Sequence, residues 1–139
     1  MRANNAVQAT PAEKLHLLKG FKAELIHTVP AETEGSWVCM CVDPKGRLIV
    51  CDQYGGLFRV TPPALGGSAD DTKVEKVPAK IGAANGLLWA FDGLYVVVND
   101  YTNYKNNGVY RITSSKNDDM LDEVKLIKSL AGPGGAGDH

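Results

Sequence analysis

The residues of this chain that could do chemistry are few, and the most suggestive pair comes last. Asp138-His139 closes a glycine-rich run, Gly132-Pro133-Gly134-Gly135-Ala136-Gly137. Such a run lets the backbone pass close to a ligand, and a carboxylate beside an imidazole is what a general base needs in an oxidoreductase or a hydrolase. On composition alone, a lone histidine at a chain end reads instead as an accident of where the chain is cut.

A second cluster runs from Ser114 to Glu123, SSKNDDMLDE. A calcium loop needs oxygen ligands at alternating positions and a carboxylate farther on; Asp118 and Asp122 have the right type and spacing to be its later ligands. Lys116 stands at an early ligand position, where an ammonium repels the cation. Any calcium site here is therefore degenerate, and the plainer reading is a solvated acidic turn before a strand. Cys39, Cys41 and Cys51 form a third group. Cys-x-Cys with one further cysteine and no histidine nearby makes a poor zinc site, so no metal is assigned to them. Tyr101 and Tyr104, in the polar stretch YTNYKNN, are aromatic residues placed to line an entrance or simply to sit on the surface.

Strands must position these residues. GSWVCMCVDPKGRLIVCDQYGGLFRVTPP, residues 35–63, holds three apolar runs separated by two turn signals. Pro44 fixes φ for the first central position of a type I turn and Gly46 supplies the left-handed residue of a three-residue hairpin with a bulge. That turn sets the register: Asp43 faces Arg47, Met40 faces Val50 and Cys39 faces Cys51. A cross-strand disulfide would fit the last pair in an oxidising compartment; small buried thiols are the alternative. Gly55-Gly56 turns the chain into Leu57-Phe58-Arg59-Val60, which Pro62-Pro63 ends because proline cannot donate to a ladder.

The same order recurs about fifty residues later in GLLWAF, GLYVVVND and NGVYRI, and a fourth strand follows each unit at Val74–Val77 and Val124–Ile127. Four antiparallel strands per unit at this period select a β-propeller, with blades over about 35–80 and 84–130. The first two strands of each unit are apolar at nearly every position, as expected where blades stack on one another. Residues 1–19 read as a poorly ordered lead-in containing one short helical turn, and 21–29 as an extended segment that pairs with a blade edge.

The net charge of −1, with Lys and Arg scattered, leaves no footprint for nucleic acid or an anionic membrane. No apolar run approaches the ~20 residues of a membrane helix. MRANNAVQAT lacks the apolar stretch of a signal peptide, which leaves a cytosolic protein or a start lying farther upstream.

In order, GFKAELIHTVP, SWVCMCVDPKGRLIVCDQYGGLFRVTPP, NGLLWAFDGLYVVVND, NGVYRI and the closing GDH resemble the beginning of the planctomycete-type membrane-bound dehydrogenase propellers. These are related to the sorbosone and soluble glucose dehydrogenases. The resemblance covers about residues 20–139. It implies an all-β chain: an N-terminal fragment of a six-bladed propeller, about two four-stranded antiparallel blades with the start of a third. It implies an exported protein of the periplasm or cell surface, in which helical repeats and a haem c domain often follow. The quinoprotein relatives bind pyrroloquinoline quinone (PQQ) and calcium and oxidise sugars or alcohols.

Two positions carry over by this resemblance. Asp138-His139 is similar to the family's catalytic Asp-His segment, which makes His139 the base that removes the substrate hydroxyl proton. Asn85-Gly86-Leu87-Leu88 is similar to a segment whose glutamine lines the quinone site, with Asn85 in place of the longer amide. The cations that hold the quinone come from later blades. Two other classes stay open: a non-catalytic propeller for binding or scaffolding, and a calcium-dependent lactonase-like hydrolase.

Overall fold

The computed structural model describes residues 8–131. Eight strands form two four-stranded antiparallel sheets in simple meander order. The first contains β1 (Trp37–Val42), β2 (Leu48–Asp52), β3 (Leu57–Thr61) and β4 (Lys73–Lys76); the second contains β5 (Ala84–Ala90), β6 (Gly93–Val98), β7 (Gly108–Thr113) and β8 (Glu123–Ser129). The only α-helix among the described residues is one turn, Ala31–Glu34. The sheets meet along β1 and β5 and separate toward β4 and β8. These are two stacked blades of a propeller-like fold, as the repeat predicts.

The β1–β2 hairpin has the predicted geometry. Gly46 sits at φ +76°, its N–H donates to the Asp43 carbonyl, and Asp43 N–H donates to the Arg47 carbonyl. Cys39 pairs with Cys51 and Met40 with Val50. A bulge lies between Trp37 and Cys39, and β5 carries its counterpart between Ala84 and Gly86. Val38 and Asn85 are thus the extra residues at matching places on the two inner strands. The blades superpose in pattern: Cys51 opposes Leu57 in the first, as Val97 opposes Val109 in the second.

The main core lies between the blades. Ile49, Cys51 and Leu57 of the first sheet meet Ala84, Leu94, Val96 and Ile112 of the second, and all are fully buried. The other face of the first blade buries Val50, Phe58 and Val60. The lead-in has its anchor on this side. His27 stacks on Trp37 at 5.4 Å, Trp37 packs on Phe58, and His27 Nε2 bonds Glu34 at 2.7 Å. Glu24, Leu25 and Ile26 border a cavity with Pro62, Pro63 and Ala64.

Residues 21–29 join neither of the two sheets, and His27 of this segment stacks against the first blade. The apolar face of Trp37 and Phe58 offers burial, which non-directional contacts satisfy without any register. The expected helical turn is a single 3₁₀ turn, Ala12–Lys14.

Candidate functional site

Because the strands alternate in direction, the β2–β3, β4–β5 and β6–β7 connections emerge at one end of the two blades. There they enclose a cavity of about 430 Å³ between the blades. Tyr54 comes from the β2–β3 connection, Lys80 and Ala83 from β4–β5, and Asp100 and Tyr101 from β6–β7. The rings of Tyr54 and Tyr101 meet edge to face at 5.9 Å across the blade junction, and both residues remain largely exposed. Tyr101 lines the cavity and is also exposed, so both placements open to it from the sequence apply. Tyr104 opens a 3₁₀ turn, Tyr104–Asn106, farther along the same connection.

The asparagines of that connection build it. Asp100 Oδ1 accepts from the Thr102 N–H and hydroxyl and from the Asn103 N–H, and its Oδ2 accepts from Asn106 Nδ2 at 2.9 Å. Asn107, itself buried, accepts from the Asp100 N–H at 2.6 Å. The Thr102 hydroxyl, and then the Asn106 amide, hold the Asp100 carboxyl at about 2. A carboxylate committed to so many donors is a fixed negative charge and a poor proton acceptor. Three tyrosines, Tyr54, Tyr101 and Tyr110, one lysine and this fixed charge line the cavity together with Ile81, Val98 and Val124.

The opposite end holds the acidic loop. Asp118 Oδ1 accepts from the Ser114 hydroxyl at 2.7 Å and from the Met120 N–H, while Asp122 accepts from the Ser115 N–H and hydroxyl at 2.8 and 2.7 Å. Those bonds lower the Asp122 carboxyl, the Ser115 hydroxyl being the chief cause. The two carboxylates thus close local turns around different serines. No group of three or more His, Cys, Asp or Glu with metal-binding geometry occurs among the described residues. Asp118 and Asp122 are each engaged by serine and backbone donors of their own loop.

The residue that matters in this loop is the one between them. Asp119, at φ +71°, receives Arg47 Nη1 at 2.7 Å and Nη2 at 2.9 Å, with Lys45 Nζ at 2.9 Å. Arg47 also donates from Nε to Asp43, whose carboxylate is buried, at 2.7 Å. Arg59 Nη2 donates to the Asp119 carbonyl at 2.8 Å. The Arg47 guanidinium, followed by the Lys45 ammonium, holds the Asp119 carboxyl well below the usual carboxylate range. A loop of the second blade is thereby clamped to the first hairpin, with Leu121 buried behind it in the core. The sequence signals half of this, since the turn places Asp43 opposite Arg47; it carries no local sign of Asp119.

Asn85 occupies the bulge of β5 and is half-buried. Bulges re-aim side chains at functional rims, so its position suits a contact residue. The exposed side chains of the neighbouring inner strand are Val38, Met40 and Val42. Asp138 and His139 lie outside the described residues.

In the hairpin the Cys39 and Cys51 sulfurs touch at 2.8 Å, and the Cys51 thiol donates to the Ala84 carbonyl of the second blade at 2.8 Å. Cys41, facing the second blade beside them, is pushed up to about 11 by burial. Among the described residues no helix is long and apolar enough to cross a membrane. Comparison with protein-family models, with curated proteins and with solved structures returns no match.

Proposed function

We propose that this chain is the N-terminal part of a larger propeller of the quinoprotein-like sugar or alcohol dehydrogenase class, and that it is inactive alone. The observation behind the larger propeller is an asymmetry between equivalent faces. On the first blade Cys51 is 0% exposed because the second blade covers it; at the matching place on the second blade Val97 is 40% exposed, and Leu88 beside it 60%. Another blade stacked there would bury both, stabilising the assembly by about 1–2 kcal/mol for each side chain. The arginines say the same. Arg59 donates across to the next blade's loop, whereas Arg111, its counterpart, turns back to the Phe91 carbonyl of its own blade.

The dehydrogenase part of the reading is supported by the ordered sequence resemblance. On this reading His139 is the base that takes the proton from the substrate hydroxyl, in a protein working in the periplasm or at the cell surface. PQQ and calcium would be held by residues beyond the two described blades, which a haem c domain of the same protein would follow. Dye reduction across a panel of aldoses and alcohols tests it. The 139-residue chain gives no turnover even with PQQ and calcium supplied. In the full-length protein, His139→Ala lowers kcat by ~10²–10⁴ and leaves cofactor binding nearly intact, as expected for loss of a general base. Turnover by the short chain, or an unaffected His139→Ala protein, removes the histidine from the mechanism.

A second reading, a propeller that binds without catalysis, is favoured by the cavity under Tyr54 and Tyr101, whose carboxylate is committed to structure. Retained saccharide binding by a full-length His139→Ala protein, with no turnover by its parent on any substrate, would select it.

A further inference from the structure

The dithiol of the first hairpin is not absorbed by any of this. Directly opposed residues of an antiparallel pair have Cα atoms about 4.5–5.5 Å apart, inside the window of about 4.4–6.8 Å that a disulfide spans. Cys39 and Cys51 are such a pair, and their sulfurs already touch. Cys41 projects from the same face two residues on, opposite Ile49, and has no sulfur facing it. The second blade has Gly86 and Val97 at the places equivalent to Cys39 and Cys51. The pair is a feature of the first blade and not of the repeat.

We propose that Cys39 and Cys51 are a redox modification site that closes to an intramolecular disulfide by exchange with a low-molecular-weight disulfide such as oxidised glutathione. The roles of the two sulfurs follow from their surroundings. Cys51 is fully buried, so it cannot meet an external reagent, while Cys39 is partly exposed. Cys39 loses its proton, attacks one sulfur of the reagent and forms a mixed disulfide, releasing the first small thiol. Cys51 then attacks the Cys39 sulfur, forms the protein disulfide and expels the second small thiol. Two protein thiols are oxidised, one external disulfide is reduced, and the two protons leave on the small thiols.

Cys39 donates to Cys51 and Cys51 donates onward to the Ala84 carbonyl. Donating that bond raises the Cys39 thiol; receiving it lowers the Cys51 thiol despite burial. The first attack is the slow one, because it is bimolecular and Cys39 is only partly exposed, and resolution is fast because the two sulfurs are already in contact within one hairpin. Closure also removes the Cys51 S–H that bonds Ala84, so the redox state of the hairpin reaches the blade junction.

The test is incubation of the native 139-residue chain with oxidised glutathione near pH 8, followed by alkylation and peptide mapping. The expected product has lost two hydrogens, carries a Cys39–Cys51 link and a fully alkylated Cys41, and passes through no abundant glutathione adduct. Cys51→Ser is expected to trap one glutathione on Cys39, Cys39→Ser to leave Cys51 unmodified in the native protein, and Cys41→Ser to behave as the parent. A link through Cys41, three alkylatable thiols after treatment, or a stable adduct on Cys39 of the parent would each overturn the assignment. The parent's own map decides the matter should a serine variant fail to fold.

Discussion

Arg47 grips Asp119 with both terminal nitrogens across 72 residues of sequence, at 2.7 and 2.9 Å, and so joins the turn of the first blade to the β7–β8 loop of the second. A forked guanidinium–carboxylate pair is stronger and more directional than a single contact, and its Arg47 side chain is largely shielded. Asp119 is about a third exposed, which tempers its worth. Asp119→Asn should cost about 1–3 kcal/mol in denaturant melts, the range for a hydrogen bond to a charged group. Arg47→Met should cost more than Asp119→Asn, because it also leaves the buried Asp43 carboxylate without its partner. Equal effects of the two substitutions would place the clamp's strength elsewhere.

The same contacts predict an acid limb. Asp119 and Asp100 both have folded-state pKa values below the ordinary Asp value, so the folded state holds fewer protons than the unfolded one through the acid range. Their stabilisation is fully present above about 4, where an unfolded aspartate is ionised, and is lost as pH falls toward the folded values, about 2 for Asp100. Thermal midpoints should be insensitive to these groups from neutral pH down to that point and then drop. Asp119→Asn should flatten the drop; an unchanged acid slope would contradict the assignment.

Gly46 tests the hairpin. A Cβ added there meets nothing within 4 Å, so any penalty comes from the left-handed backbone at φ +76° and not from crowding. Gly46→Val should destabilise by about 1–3 kcal/mol. Gly46→Asn, which tolerates that conformation, should cost clearly less. A valine variant that melts with the parent would mean that the bulge is not held there, and the Cys39–Cys51 register would lose its anchor.

What could be read from the residues follows the range of the interactions. The Pro44–Gly46 turn is encoded by adjacent residues, so its register, and with it the Cys39–Cys51 pairing, was legible down to the opposing residue. The two-blade pattern was legible because it is written twice. For residues 21–29 the apolar alternation reports a covered face and is silent on whether the backbone joins a ladder. Asp119 could not be found, since its partners Arg47 and Arg59 come from another blade and the flanking Asp118 and Asp122 look more like ligands than it does. The asparagines of YTNYKNN looked like mere loop composition, yet Asn106 and Asn107 fix Asp100 and so shape the cavity wall.

Sedimentation velocity of the 139-residue chain over a wide concentration range examines the uncovered face of the second blade directly. Exposed apolar residues on a sheet face with unpaired edges favour association. The average mass should climb with concentration, and Leu88→Lys with Val97→Lys should shift the chain toward monomer without loss of its β signal in circular dichroism. A parent chain that stays monomeric throughout and unfolds in one cooperative step would contradict the claim that another blade belongs on this face.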